Sequence, residues 1–282
     1  MLQDMSLDGA CITSISALDE QGREGGAYLW TEDQLKQLLD TEDLALLSKI
    51  WGMETAAEFE YGYLPMNRKT PADTEQVRLK VIYGKLLKAR NERVAPRDIK
   101  LLSGLNGLAL EAFSEAAELA PRYRQAADTL RNFMLEKLWL NGELQKGISK
   151  QQLLGPGDLE SYAFAASGLR HYANLINKKA DDKIARQITS RAWDKFYTPS
   201  GFVLEQGIEL AKPYFLSVVE DSPLPSPSAV LIKTSLQAGN QLLRAKATSA
   251  LAEGDALQKH AMFWVATQVI ALNRLFEGCG KP

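Results

Sequence analysis

Cysteine and histidine are scarce in this chain, with two of each among 282 residues. Cys11 and Cys279 lie near opposite ends, and neither belongs to a CxxC pair or a Cys/His cluster. A disulfide framework and a structural zinc site are therefore not indicated. The sequence predicts no metal site and no cofactor.

Secretory and membrane-spanning segments are also missing. The first eight residues have no basic stretch followed by an apolar run, which a secretory signal needs. The most apolar late segment, Ala261 to Phe276, is interrupted by polar residues and is shorter than the about 20 residues that cross a bilayer. We expect a soluble, cytoplasmic protein without a membrane partner.

Excess charge of one sign is small, since the formal net charge is −2. The chain as a whole therefore has no strong attraction for nucleic acid. A basic stretch from Arg78 to Lys100 holds eight Lys and Arg residues against Glu92 and Asp98, with Tyr83 as its aromatic residue. Because stacking aromatics are few, this stretch indicates a solvated face or a docking face for an acidic partner, with no nucleic acid bound.

Recognisable catalytic signatures are absent as well. The chain has no G-x-x-x-x-G-K-[ST] loop, G-x-G-x-x-G, H-E-x-x-H or G-x-S-x-G. These absences disfavour nucleotide-binding, metalloprotease and α/β-hydrolase functions. The hydrophobic fraction of 45% is that of an ordinary globular protein, so the chain folds around a real core.

What the chain does have is a unit that occurs three times: a helical segment, a Gly-marked turn and a short extended run. The copies cover residues 1–15, 133–146 and 193–205. Recurrence of one supersecondary unit indicates an array. The first copy lacks the helix that it should complete.

Helical periodicity dominates after residue 30. Thr31 predicts an N-cap, with Gln34 completing a capping box and Trp30 and Leu35 spaced as a hydrophobic staple. A second short helix is predicted from Leu44 to Trp51.

Longer helices follow, and after the first they come in pairs. They are predicted at about 73–92, 105–119 with 121–139, 159–176 with 181–197, and 227–244 with 248–276. The pairs begin every roughly 55 to 70 residues, which is too long and too uneven for common short helical repeats. We therefore expect an all-α fold, an αα-hairpin toroid or (α/α) barrel that is incomplete, with short β-hairpins at the hairpin tips. The prediction is one domain over residues 1–282.

Four segments carry a resemblance to a known family. They are Ser16–Asp19 with Glu24–Thr31, the stretch from Arg90 to Leu108, Asp158 to Leu169, and Pro225-Ser226. In this order they resemble motifs of the helical domain in the thioredoxin-domain family that includes the spermatogenesis-associated thioredoxin-like proteins.

The resemblance implies a six-hairpin toroid like those of glycosidases and of the N-acylglucosamine 2-epimerase group. Family members carry a thioredoxin-like domain and the first toroid helices before the point where this chain begins. The resemblance thus implies that the chain is a C-terminal portion of a larger protein, or that a partner chain supplies the rest. Ile99, Leu105 and Pro227-Ser228 depart from the family pattern, and any chemistry that those positions carry is lost here.

Asp98 and Asp158 are the candidate catalytic carboxylates. In a toroid the starts of alternate helices converge on one rim, so both could face one cavity. Inverting glycoside hydrolysis uses two carboxyl groups about 6.5 to 9.5 Å apart. The alternative is structural: Asp158 is a helix N-cap, and Asp98 pairs with Arg97 or Lys100.

Lys100, Asn106 and Tyr162 are the candidate substrate-binding residues at the same rim. Each has a structural alternative, since an Asn near a helix start commonly bonds to the backbone and a Tyr can simply pack.

Two further groups favour structural interpretations. Asp19, Glu20 and Glu24 suit a solvated turn better than a cation site, and His171 and His260 suit helix packing better than an acid–base pair.

Two functions remain open from the sequence. The first is a toroid that binds or processes a carbohydrate or another small molecule, with catalysis retained or lost. The second is a non-enzymatic interaction module that docks a thioredoxin-like domain, a partner chain or a second copy of itself. Facing carboxylates in the ring favour the first function, and a packed apolar centre favours the second.

Overall fold

The computed structural model describes residues 2–205, 220–253 and 262–277. Its contacts divide the chain into two compact units. The small unit is Ser14–Asp98, and the large unit combines Met1–Thr13 with Ile99–Pro282. The expectation of one domain over 1–282 stays a prediction, and each unit is described by itself.

The described residues are mostly helical, as predicted, with a few short strands. The α-helices are α1 (Glu32–Leu38), α2 (Thr41–Trp51), α3 (Asp73–Asn91), α4 (Ser103–Ala116), α5 (Pro121–Phe133), α6 (Leu159–Ile176), α7 (Lys179–Phe196), α8 (Pro227–Gln237), α9 (Gln241–Glu253) and α10 (Ala266–Glu277). The strands are β1 (Ser6–Leu7), β2 (Ala10–Cys11), β3 (Ser14–Ile15), β4 (Arg97–Asp98), β5 (Leu101–Leu102), β6 (Trp139–Leu140), β7 (Glu143–Leu144), β8 (Gly147–Ser149), β9 (Gln152–Leu153), β10 (Tyr197–Thr198) and β11 (Gly201–Phe202). No helix in the described ranges is both long enough and apolar enough to cross a bilayer.

The small unit packs α1, α2 and α3 around one apolar cluster and pairs β3 with β4 in antiparallel fashion. Thr31 caps α1 with the predicted capping box to Gln34. Trp30 and Leu35 are both buried in the cluster, in agreement with the predicted staple. Helix α2 ends at Gly52, whose φ of 71° places it in the left-handed region that glycine tolerates.

The large unit is built from helix pairs. One row of helices, α4, α6, α8 and α10, packs neighbour against neighbour. Helices α5, α7 and α9 pack against α4, α6 and α8 respectively. This alternation agrees with the predicted αα-hairpins, and closure of the row into a toroid stays a prediction.

All three predicted copies of the recurring unit form β-hairpins. β1 pairs with β2, β6 with β7, and β10 with β11, each in antiparallel register. In the third copy Trp193, Tyr197 and Phe202 stack with ring centroids 4.9 to 5.2 Å apart. Trp193 and Phe202 are buried, whereas Tyr197 is half-buried.

Three of the predicted helices are divided differently in the structure. The helix predicted over 121–139 is α-helical to Phe133 and then turns as a π-helix over Met134–Leu138. The helix predicted over 227–244 stops at Gln237, and Gly239 follows with a φ of 62°. A glycine at this position commonly ends a helix, so the end of α8 could have been predicted from the sequence. The break replaces one long helix by α8 and α9. The helix predicted over 248–276 is likewise not continuous, since its described parts are the end of α9, a 3-10 turn at Met262–Val265 and α10.

Helices α4 and α6 approach each other through glycine. A Cβ on Gly107 would overlap the backbone of Phe164, and a Cβ on Gly168 would overlap the carbonyl oxygen of Gly107. Side chains are thus excluded from the crossing, because the two backbones occupy the space. Their contact is the most extensive between any two described helices.

Replacing Gly107 by Ala should destabilise the large unit by about 1 to 3 kcal/mol, because the added methyl group forces the backbones apart. Gly84→Ala on exposed α3 is the matched control, since a Cβ there meets no atom within 4 Å. That control should be neutral or stabilising by up to about 1 kcal/mol, as expected for Ala in a helix. Urea unfolding monitored by circular dichroism measures both; equal effects of the two substitutions would refute the close-packing interpretation.

Candidate functional site

The structure places the predicted site residues in different units. Asp98 lies on β4 of the small unit, whereas Lys100, Asn106, Asp158 and Tyr162 belong to the large unit. A shared cavity for Asp98 and Asp158, with the spacing of an inverting glycosidase, therefore stays a prediction. The residues of the large unit can be considered together.

Asn106 is fully buried and uses its amide group on the backbone. Its Oδ1 accepts from the Cys11 nitrogen at 2.7 Å, and its Nδ2 donates to the carbonyl oxygens of Cys11 at 3.0 Å and Leu102 at 2.9 Å. Three bonds to two segments tie β2 to the start of α4. The structural alternative predicted for Asn106 accounts for all three.

Tyr162 is also buried, with 1% of its surface exposed. Its hydroxyl donates to Glu143 Oε2 at 2.8 Å and accepts from the Leu144 nitrogen at 2.9 Å. Glu143 in turn binds Lys195 at 2.9 Å and Arg191 at 2.8 Å. The tyrosine thus anchors the β6–β7 hairpin to α6.

Burial acts against ionisation of Glu143, but the hydrogen bonds from Lys195 and Tyr162 outweigh it and lower the pKa of this carboxyl group. For Tyr162, burial and the adjacent Glu143 carboxylate both raise the pKa of the phenol. The phenol therefore stays protonated and keeps its donor role.

Asp158 is the N-cap of α6, as the structural alternative predicted. Its Oδ1 accepts from the nitrogen of Ser161 at 2.9 Å and from the Ser161 hydroxyl at 2.7 Å. Its other oxygen, Oδ2, lies 3.0 Å from Lys146 Nζ. The cap and the ion pair use different oxygens, so one carboxylate serves both.

Lys146 connects Asp158 to a second carboxylate. Its ammonium lies 3.3 Å from Glu205 Oε1, and both Lys146 and Glu205 remain about 40% exposed. The hydrogen bond with Asp158 raises the pKa of Lys146. We call Lys146, Asp158, Glu160 and Glu205 the rim cluster, because α6 begins there.

Glu160 is the acid of the rim cluster whose charged form is disfavoured. Burial raises the pKa of its carboxyl group, and the nearby Asp158 charge raises it further. Asp158 and Glu160, two residues apart, thus have different surroundings: an ammonium pairs with Asp158, whereas Glu160 is half-buried beside that carboxylate.

Lys100 contributes its backbone to the same unit, where the Thr13 hydroxyl donates to its carbonyl oxygen at 2.8 Å. Sequence reasoning had missed Lys146, Glu160 and Glu205. Lys146 directly follows the second hairpin, which was a usable signal, but nothing in the sequence paired it with residues 12 and 59 positions later.

The other candidates have structural partners or lie outside the described residues. Asp19 accepts two backbone hydrogen bonds and pairs with Arg23, as expected for a turn. In the basic stretch, Arg78 and Lys85 both bind Asp43, at 2.6 and 2.7 Å. His260 and Cys279 lie outside the described residues.

Comparisons with known proteins give little to identify the chain. No family model matches it, and no curated protein does. Among solved structures, a sugar epimerase from a ruminal bacterium matches at 15% identity with a TM-score of 0.44. The match covers 55% of this chain and 43% of the epimerase. Membership of the thioredoxin-domain family therefore stays a prediction.

Glu160→Gln should stabilise the protein at neutral pH. A carboxyl group whose pKa is raised on folding contributes stability below its unfolded pKa and loses it as the pH rises through the folded value. The glutamine removes this loss, so its gain should be present at pH 7 and shrink towards pH 4. Thermal melts at both pH values measure it, with exposed Glu118→Gln as control. A gain that is constant with pH would contradict the assigned cause.

Proposed function

We propose that the large unit binds a sugar or a similar polyhydroxylated small molecule at the rim cluster. One observation carries this proposal: Lys146 joins two carboxylates while its ammonium and Glu205 stay partly exposed. Carboxylate oxygens accept from hydroxyl groups and an ammonium donates to them, so the cluster offers both kinds of partner within a small space.

The rim cluster is also built to hold its shape. The Asp158 carboxylate is fixed by Ser161 at the helix start, and Gly157 donates to the carbonyl oxygen of Leu144 at 2.8 Å beside it. Lys146 itself is held by a backbone bond from its nitrogen to Gly155. A site held by backbone bonds loses little conformational entropy when a ligand binds.

Processing of the bound molecule would depend on Glu160. Glycoside hydrolysis needs one carboxyl group that holds a proton and one that is ionised. Asp158, whose Oδ2 lies 3.0 Å from Lys146 Nζ, fits the second role, and the half-buried Glu160, two residues later on α6, fits the first. In this proposal Asp158 keeps the catalytic role expected from the sequence, and Glu160 replaces Asp98 as its partner.

Isothermal titration of the chain with a panel of mono- and disaccharides should give saturable heat for at least one sugar. Lys146→Met should weaken that binding by about tenfold or more, because a hydrogen bond to a charged group contributes roughly 1.5 to 3 kcal/mol. Lys183→Met, an exposed lysine on α7, is the matched control and should bind as the parent does.

The outcomes separate the two parts of the proposal. Absence of heat across the panel from a folded protein would refute sugar binding. Binding that Lys146→Met leaves unchanged would place the sugar elsewhere. If Lys146→Met loses the binding but the parent neither hydrolyses nor isomerises the sugar, the rim cluster binds the sugar without processing it.

A second candidate function is docking of a thioredoxin-like domain, a partner chain or a second copy. Val77 and Val81, one helical turn apart on α3, are 75% and 55% exposed. Lys80 and Lys88 lie on the same exposed helix. An apolar stripe flanked by lysines suits a partner that offers apolar and acidic residues together.

The docking function predicts that the isolated chain associates as its concentration rises. Val81→Glu should reduce that association, since it places a charge within the apolar stripe. Leu119→Glu, at a position that is 80% exposed in the large unit, is the matched control. Light scattering at several concentrations measures both; a parent chain that stays monomeric throughout and binds no hydrophobic dye would count against docking.

A further inference from the structure

A second polar cluster lies on the packed row of helices, separate from the rim cluster. Glu111 and Glu115 stand one turn apart on α4, and His171 faces them from α6. One ligand atom from each of the three residues lies within 4.8 Å of the other two. We call these residues the Glu–His cluster.

The imidazole of His171 is oriented by the backbone. Its Nδ1 lies 2.9 Å from the carbonyl oxygen of Ser167, and because a carbonyl can only accept, Nδ1 carries the hydrogen. In the neutral imidazole Nε2 then carries the lone pair, and Nε2 faces the two glutamates. A histidine that donates Nδ1–H to a carbonyl and presents Nε2 has the arrangement typical of metal-binding histidines.

Glu111 is oriented as well. The Ser167 hydroxyl donates to its Oε2 at 2.6 Å, so its Oε1 is the oxygen that faces His171. Ser167 thus supports both residues, with its carbonyl oxygen on the histidine and its hydroxyl on the glutamate. Such outer contacts fix ligands before a metal arrives.

The spacing also fits one ion. His171 Nε2 lies 3.5 Å from Glu111 Oε1 and 3.6 Å from Glu115 Oε1. Ligands about 2.0 to 2.2 Å from a tetrahedral zinc ion are separated from one another by about 3.3 to 3.6 Å. Two of the three separations therefore match those around one ion, and the third, between the two glutamate oxygens, is within 4.8 Å.

From these contacts we propose that the Glu–His cluster binds a divalent transition-metal ion of the zinc type, through His171 Nε2 and one oxygen each of Glu111 and Glu115. Three protein ligands leave a coordination position open for water or a substrate oxygen. Glu115 is 68% exposed, whereas the side chains of Glu111 and His171 are 20% and 24% exposed. The ion thus enters from the Glu115 side. The sequence predicted no metal, and this site departs from that prediction.

Lys233 on α8 competes for the same glutamate. Its ammonium lies 3.5 Å from Glu111 Oε1, the oxygen that the ion needs. Metal binding must displace this ammonium or bind beside it, which lowers the affinity. Lys233 is therefore a useful position for testing the site. Removing its charge should strengthen metal binding, and it also removes the ion pair between Lys233 and Glu111.

Zinc titration of the full chain by calorimetry tests the proposal, with Co²⁺ absorption reporting the ligand geometry. We expect one Zn²⁺ per chain at this site and a higher melting temperature in its presence. His171→Ala should lose this binding, and Ser167→Ala should weaken it by about tenfold, as for outer contacts of metal ligands. Lys233→Met should tighten it by roughly tenfold, the order expected for removing one nearby charge.

Controls separate the site from other zinc ligands. Glu118→Gln, an exposed carboxylate close to Glu115, should leave the affinity unchanged. Cys279→Ser excludes binding through that thiol, and melts without metal show that each variant folds. Equal zinc binding by the parent and His171→Ala would overturn the proposal, as would no binding in Lys233→Met. Either result would leave the cluster as an ion pair between an imidazolium and two carboxylates.

Discussion

The close contact between Gly107 and Gly168 is the constraint on which the large unit depends. At this crossing the carbonyl oxygen of Gly107 occupies the space that a Cβ of Gly168 would need. Helices that approach this closely cannot rotate or slide without losing many contacts at once. The relative position of α4 and α6 is therefore set by backbone packing, and the polar residues that they carry follow from it.

Both polar clusters include residues at the start of α6 or along it, and the Glu–His cluster also includes residues of α4. The rim cluster lies where α6 begins, and His171 lies 13 residues further along α6, about 20 Å at 1.5 Å per residue. Neither cluster contains a strong local motif. The Glu–His cluster is assembled because α6 packs on α4, and α8 then packs on α6 and brings Lys233 to Glu111.

Local features of the fold were predictable from the sequence. The capping box of Thr31 and Gln34, the N-caps Asp158 and Ser226, and the three hairpins depend on residues a few positions apart. The side chains of such residues form hydrogen bonds with backbone groups a few positions away, and these bonds do not depend on the tertiary structure. For the same reason the alternative role of Asp158 as a cap could be recognised from the sequence, while its partner Lys146 could not. The break at Gly239 was also local, and it was missed although glycine signals it.

Contacts between residues far apart in the chain could not be predicted from the sequence. His171 reads as a helix residue like any other until α4 places Glu111 and Glu115 against its Nε2. Its donor bond to Ser167 is local, since the two residues are one turn apart, and it would form in any helix with this sequence. The local bond selects the tautomer, and the packing of α4 supplies the carboxylates. The sequence alone can therefore indicate the hydrogen bond from His171 to Ser167. It cannot indicate the carboxylates at Nε2, because these reach the histidine only through the glycine crossing that brings α4 and α6 together.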